Sequence, residues 1–529
     1  MPVQCWLQDS HARVFPTGNR VGPSVLHIEA ARGERVSLQL CACNGSGEEV
    51  VGVRAAVEPV AGLSTRLRRV GFIPLLHPTT ETEPRDLDCR GKVPGFVPDP
   101  LFDEEEAEIA RGQTAAFWIT ITVGPRCPAG RKIVPFTVES RGSVVGRLHA
   151  VLFVREVAVA PRRGFPVVQT LRSDALMDRY GLAGFDNGYW DLAGAYMEDL
   201  AAHGQDAVSI PVFGGPQLLR VSRRGGTYGL DWTDVKRYVS LSRSRGIRWF
   251  EWPSLLGQGD HTHAPAIFEG QAGRPLWGPR TSALSAVYRT FLAQYLPRLS
   301  RFLHAERLAD CSLFRFSDSP CGAEAPPSFR RAREVLRTLA PWLKTTDLVS
   351  DIEAARTGLV DMPAADMGAA RQLIHEGFPC FAALGSHPRG PYLSRFIDTP
   401  LAKVRMGGWL FYKFRMRGLL GGGYNDWYAS GTRTLIDPFT ESSGRAWPSV
   451  APGEPFLVYP GPRGPIDSIR WEIFGEGLSD YALLASAGAQ ASHRLLSAIR
   501  NFHRFPKDPA WIRKARHEIF SLATTGSRS

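Results

Sequence analysis

The sequence predicts an N-terminal β-sandwich followed by a (β/α)₈ barrel, and three observations carry that reading. Residues 1 to about 160 hold short alternating apolar runs separated by Gly, Pro and Asn turns, the pattern of packed sheets. From residue 165 the rhythm changes to strand, loop and helix, which calls for a parallel sheet. Eight such units follow over roughly 320 residues, enough to close a barrel.

In the first region, Arg35-Val36-Ser37-Leu38-Gln39-Leu40, Ala116-Phe117-Trp118-Ile119-Thr120-Ile121-Thr122-Val123 and Ile133-Val134-Pro135-Phe136-Thr137-Val138 alternate with the period of two that marks a strand. Cys41 and Cys43 fall on one face of such a strand and read as small buried hydrophobes. The acidic run Asp103-Glu104-Glu105-Glu106 reads as a solvated loop, and Pro161-Arg162-Arg163-Gly164 as a linker. Barrel strands are expected at 165–171, 206–212, 247–252, 312–317, 346–350, 379–384, 418–424 and 455–460. Helices are expected between most of them, at 189–203, 231–244, 282–304 and 397–416. The domain boundaries that follow are 1–160 for the sandwich, 165–485 for the barrel and 486–529 for a basic helical segment packed on the barrel.

Composition narrows the classes of function. The chain has 529 residues, 43% hydrophobic and 22% charged, the balance of a soluble globular protein. No apolar stretch reaches the ~18 residues of a membrane span. The start, Met1 to Ser10, lacks a basic region followed by an apolar core, so a cytoplasmic protein is expected. The net charge of +11 invites a nucleic-acid reading, yet 55 of the 63 basic residues are Arg and they are scattered. A nucleic-acid footprint would gather on one surface, so none is expected. Eight cysteines without a C-x-x-C pair argue against a disulfide framework or a structural zinc. There is no phosphate-cradling G-x-x-x-x-G-K-[ST] loop and no G-x-S-x-G elbow, and no cofactor is expected. Gly421-Gly422-Gly423 lies within a strand, where close backbone approach or an emptied pocket wall explains it better than a cofactor loop.

Catalytic groups of a barrel gather at the C-terminal ends of its strands. Strand three delivers Glu251 and Trp252, then the loop Gln258-Gly259-Asp260-His261-Thr262-His263. Strand four ends in Ser317-Asp318-Ser319-Pro320. Strand seven delivers Tyr424, Asn425, Asp426, Trp427 and Tyr428, and strand eight Tyr459. Rings with carboxylates and an amide suit a sugar, whose C–H faces stack while its hydroxyls take hydrogen bonds. Each residue also has a plainer reading: the aromatics as core, Glu251 as a structural partner of an Arg, and Asp318 as a helix or turn cap. His261 and His263 with Asp260 lack a spaced third ligand, and no metal site is expected.

These residues resemble a known group. The chain is similar to the family called domain of unknown function 4091, related to glycoside hydrolase family 123, the β-N-acetylgalactosaminidases. The resemblance runs from about residue 95 to residue 485. It is carried by Pro98-Asp99-Pro100-Leu101, Phe117 to Ile121, Pro128-Ala129-Gly130, Gly246 to Glu251, His263-Ala264-Pro265, Gly423-Tyr424-Asn425 and Phe456 to Gly461. The segment from Pro465 to Arg470 and on through Glu476 to Tyr481 is especially similar. The resemblance implies a sandwich, a barrel and an adjacent Asp-Glu pair after strand four. In that chemistry the sugar's own 2-acetamido oxygen attacks the anomeric carbon, the Asp orients the acetamido group and the Glu protonates the leaving oxygen, an exception to the separated-carboxylate arrangement.

Asp318 matches the family's Asp, and the family's Glu falls on Ser319. A serine hydroxyl is not acidic enough to donate that proton, a loss worth ~10²–10⁴ in rate. Ser254, Gly259, Ser394 and Gly422 stand where relatives carry larger pocket residues. Two functions follow as expectations. One is a glycoside hydrolase acting on an N-acetylhexosaminide-like substrate through Asp318 and a relocated acid, with Glu251, Asp260 and Glu324 as candidates. Its substrate-binding residues are expected to be Trp252, His263, Tyr424, Asn425, Trp427 and Tyr459. The other function is a non-catalytic homologue that keeps carbohydrate binding through aromatics such as Trp252, Trp427 and Tyr459. The sequence leaves the oligomeric state open.

Overall fold

The computed structural model describes residues 3–18, 20–162, 164–257 and 262–526. Its N-terminal part is two five-stranded sheets. The first runs Val3–Asp9, Arg35–Asn44, Thr114–Val123, Leu63–Leu75 and Gly95–Phe102, every neighbour antiparallel. In the second, Val25–Arg32 lies parallel to Ser143–Ala158, and Gly130–Ser140, Val50–Val57 and Glu106–Ala110 follow. Alternation gives the first sheet two apolar faces. Leu38, Leu40, Phe117 and Ile119 meet the second sheet. Trp6, Cys41, Ala116 and Trp118 belong to a core that continues into the barrel's outer layer, and Cys43 packs beside them. Burial on both sides is why Thr114–Val123 carries so few exposed positions.

The barrel has eight parallel strands: Val167–Gln169, Ala207–Ser209, Trp249–Trp252, Ser312–Phe314, Thr346–Leu348, Met362–Ala365, Phe381–Leu384 and Leu419–Gly421. Strands four and five meet only through the isolated bridges Phe314–Thr345 and Cys321–Val349, which leave the seam slightly open. Val168, Ala207, Leu313, Ala364, Phe381 and Leu420 fill the lumen, with Trp249 packed against them. The helices Asn187–Ala202, Thr233–Ser244, Ala286–Ala305 and Leu401–Lys413 lie close to their expected positions.

Two strand assignments are corrected. Strand six, Met362–Ala365, was not anticipated; its Met-Pro-Ala-Ala run has neither β-branched residues nor alternation. The run expected as strand eight is outside the barrel, where Val458–Pro460 pairs antiparallel with Pro465–Asp467. Apolar and aromatic residues in that run mimic a strand, but Tyr459 is held by the sandwich. The last barrel strand is therefore Leu419–Gly421, and Phe381–Leu384 is the seventh.

Arginine joins the two parts. Arg470, fully buried, donates to Asp99 of the sandwich at 3.0 Å, and Tyr459 Oη donates to the same carboxylate at 2.7 Å. Arg68 pairs with Asp467 and, at 2.6 Å, with Glu472. His203 lies between Asp199 Oδ1 at 2.9 Å and Glu472 Oε1 at 3.2 Å. Among the described residues, Asp199, His203 and Asp467 are the one group with metal-ligand atoms within 4.8 Å of one another. Arg68 and a protonated His203 already supply the cations there. The Arg66-to-Arg69 cluster also spends its charge locally, with Arg66 on Asp103 at 2.9 Å and Arg69 on Glu104 at 2.6 Å. Arg162, expected in a linker, is buried and bonded to Gly204 O and Asp206. The helix Pro509–Gly526 touches both parts: Arg516 bridges Glu34 of the sandwich and Asp480 of the helix Ile469–Ser486.

Candidate active site

A cavity of about 360 Å³ opens at the C-terminal end of the barrel. Glu251, Arg315, Asp318 and Asp366 are its charged walls, and Val168, Leu348, Leu384 and Leu420 line its apolar part. Strand parity decides which side chains reach it. Trp249 and Glu251 point into the barrel, so Phe250 and Trp252 point out to the helices.

Glu251 is buried, accepts a hydrogen bond from the Ser209 hydroxyl of strand two, and has Arg315 Nη1 at 3.7 Å. Burial raises its pKa above the ordinary value; Arg315 and the Ser209 hydroxyl oppose the shift, and Asp318 adds to it. Asp318 lies just past strand four, its side chain 39% exposed, with Arg315 Nε at 3.7 Å. Burial of its carboxyl among the surrounding walls raises its pKa, Arg315 opposes, and Asp347 adds to the rise. Burial opposes the Arg315 charge, and Glu251, Asp318 and Asp347 together outweigh it and raise its pKa. Its Nε is buried without a hydrogen-bond partner; Nη2 donates to Ser317 O at 3.4 Å, and the two cavity carboxylates are reached only through charge at 3.7 Å.

The turn that presents Asp318 is fixed from the next strand. Asp347 Oδ1 accepts the backbone N–H groups of Phe316 at 2.7 Å and Ser317 at 3.1 Å. The Thr345 hydroxyl and, at 3.9 Å, Arg333 hold the other oxygen of Asp347. Ser319 N donates to Ser317 Oγ at 3.2 Å, and Ser319 does not line the cavity although its neighbours Asp318 and Pro320 do. Asp366 was missed together with strand six. Its Oδ1 caps the helix Met367–His375 through Gly368 N and Ala369 N while the residue borders the cavity. The Asp-x-Gly-Ala start of that helix was the available signal.

The expected aromatic lining is corrected. Trp252 is buried among Phe314, Phe302 and Trp232, and its Nε1 donates to Ser312 Oγ at 2.9 Å. Tyr424 donates to Asp199, Trp427 Nε1 to Val458 O at 3.0 Å and Tyr428 to Asp178 at 2.7 Å, each ring in the core. Tyr459 is the sandwich contact described above. Asn425 is fully buried and clasps the backbone of Arg172 through both amide atoms, at 2.8 and 3.1 Å. His263 sits on the loop after strand three, with Thr262 Oγ1 3.1 Å from its Nδ1, and is not in the cavity wall. No Phe, Tyr or Trp lines the cavity among the described residues.

Of the candidate acids, Glu251 is in the cavity and Glu324 is exposed outside its lining. Asp260, His261 and Gly259 lie outside the described residues. Ser254 is bonded to Leu256 O and Phe316 O, and Ser394 to Thr399 Oγ1 at 2.9 Å; both are spent on the loops. Gly422 lines the cavity, with open space where a side chain would stand.

The sequence model of the glycoside hydrolase 123 catalytic domain matches residues 171–487. The chain belongs to glycoside hydrolase family 123. Its fold is similar, over 99% of both chains and with a TM-score of 0.75 at 11% identity, to a family 123 glycoside hydrolase from Clostridium perfringens studied for glycolipid glycan hydrolysis. Likeness to a Bacteroides ovatus GH5 xyloglucanase is slight, with 10% identity, 79% of this chain and 96% of the other covered, and a TM-score of 0.28. A GH39 enzyme from Xanthomonas axonopodis pv. citri gives 12% identity, coverage of 62% and 67%, and a TM-score of 0.36. No curated protein sequence matches the chain. The matched region begins just after the first barrel strand and covers the other seven, including the ends that carry Glu251 and Asp318.

Proposed function

We propose that this family 123 member hydrolyses an N-acetylhexosaminide-like glycoside in the cavity at the barrel mouth, and that it is of the branch called domain of unknown function 4091. Asp318 orients and stabilises the sugar's 2-acetamido group. The acetamido oxygen then attacks the anomeric carbon as the bond to the leaving oxygen breaks. Glu251 gives its proton to that oxygen, and water, returning a proton to Glu251, opens the cyclic intermediate. The observation that carries this reading is that Glu251 and Asp318 face one cavity with a single cation between them. Glu251, a buried carboxyl with its pKa raised, is suited to proton donation. Asp318, with a side chain 39% exposed and Arg315 at 3.7 Å, is placed to carry charge against the upward pull of its burial. The apolar wall of Val168, Leu348 and Leu420 suits an acetamido methyl.

Aryl N-acetylhexosaminides and natural disaccharides, assayed with Asp318→Asn and Glu251→Gln, test the proposal. Asp318→Asn should abolish turnover of both. Glu251→Gln should cost ~10²–10⁴ on disaccharides and much less on aryl glycosides, whose leaving group needs no proton. Activity that survives Asp318→Asn would remove the site from consideration.

A second reading rests on Ser319. With no carboxylate beside Asp318 in sequence, the cavity would bind the sugar and not cleave it. Measurable binding without turnover in the same assay would favour that reading.

A further inference from the structure

Among the described residues no Phe, Tyr or Trp lines the cavity, and at about 360 Å³ it is at the small end of ligand sites, room for one sugar residue. Any further residues of a glycan must therefore lie on the rim. Two tryptophans are exposed, Trp342 at 40% and Trp447 at 41%. Trp342 precedes strand five, at the opposite end of the barrel. Trp447 follows strand eight, on the mouth side.

Trp447 is built into that position. Its ring stacks on His77 of the sandwich, with centroids 4.2 Å apart and planes at 23°, and its Nε1 lies 3.4 Å from Pro78 O. One face is covered by the imidazole, and the indole remains substantially open to solvent. Arg389 ties this platform to the cavity: it donates to Thr80 of the sandwich loop, to Ser449 O at 2.7 Å and to Ser386 O at 3.0 Å, next to the cavity-lining His387. A rigid indole lays its flat apolar face against the C–H face of a pyranose at little entropic cost.

We propose that Trp447, backed by His77, is a stacking platform for a sugar residue on the leaving-group side of the scissile bond, so that the substrate is an oligosaccharide or its conjugate rather than a simple glycoside. This deepens the function proposed above and rests on it for the position of the bond. It also gives the sandwich a part in recognition, since His77 comes from its loop.

The test compares an aryl N-acetylgalactosaminide with a trisaccharide ending in β-N-acetylgalactosamine and its N-acetylglucosamine counterpart. In Trp447→Ala, kcat/KM on the preferred trisaccharide should fall about tenfold further than on the aryl glycoside, mainly through KM, and Trp447→Phe should restore part of it. His77→Ala should give a smaller loss of the same kind. Calorimetric titration of the trisaccharides into Asp318→Asn, with and without Trp447→Ala, reads the platform without turnover. Equal trisaccharide affinity in those two proteins, or no binding to either, would overturn the platform. Absence of hydrolysis with binding that depends on Trp447 would instead overturn the proposed reaction and leave the platform standing.

Discussion

Glu251 and Asp318 stand on adjacent barrel strands and share one guanidinium, Arg315, which lies 3.7 Å from an oxygen of each. Neither contact is a direct hydrogen bond, so the cation tunes both carboxyls through the low-dielectric cavity without tying up either. Proton affinity at the site is thereby set for the pair, not for each acid alone.

Replacing Arg315 by Met should move the whole pH–rate profile upward. Arg315 lowers both pKa values against burial, so its loss raises both. On the proposed roles, the acid limb follows ionisation of Asp318 and the alkaline limb follows loss of the Glu251 proton, so both limbs would move to higher pH. kcat/KM of an aryl glycoside between pH 3 and 9 checks this, and a loss of amplitude at unchanged pH would refute it.

Ser319→Glu places a second carboxyl beside Asp318. The expected gain is about 10- to 100-fold on disaccharides and smaller on aryl glycosides, at or below the lower end of the ~10²–10⁴ that a well-placed general acid supplies. Equal gains on both substrates would mean that the new carboxyl acts on binding and not on the leaving group.

Gly422 and Gly423, directly after strand eight, should respond differently to a side chain. Gly422 has open space in place of a side chain and lines the cavity, so Gly422→Phe should raise KM about tenfold with little change in melting temperature. Gly423 has φ +70° and a Cβ there would meet Glu454 O at 2.0 Å, so Gly423→Ala should cost about 2–4 kcal/mol. Kinetics and thermal unfolding of the two variants separate an emptied pocket wall from a backbone constraint.

His203→Gln should lower stability by about 3 kcal/mol near pH 6, since it leaves Asp199 buried without its cation while Glu472 keeps Arg68 and Arg35. The neighbouring carboxylates raise the His203 pKa to about 10, against burial. The stabilisation is fully present below about 6.5 and is lost as pH rises through 10. Asp199, lowered to about 2, contributes above its ordinary 3.8 and loses that contribution as pH falls through 2. Urea midpoints at pH 6 and pH 10 should therefore converge between wild type and variant at the higher pH.

Much of the architecture was legible because it is written in periodicity. Alternation over two residues marked the sandwich, and the strand–helix rhythm marked the barrel, with all but one of its strands near their expected places. Met362–Ala365 escaped because a lumen strand of Pro and Ala has no local signature, and Phe456-Leu457-Val458-Tyr459 misled because an apolar run records burial without saying against what. Glu251 and Asp318 were legible from their positions at strand ends. Asp366 was not, since it depended on the strand that was missed.

The sequence by itself determined the fold class and the family, both of which are written in local patterns along the chain. Only the tertiary structure decided which side chains meet. Parity within a four-residue strand sent Glu251 inward and Trp252 outward; Tyr459 was claimed by Asp99 from a residue 360 positions away. The stacking of Trp447 on His77 joins the last barrel loop to the sandwich, and the Arg315 bridge joins two strand ends. Such contacts depend on packing between distant segments, and no residue pattern within either segment encodes its partner.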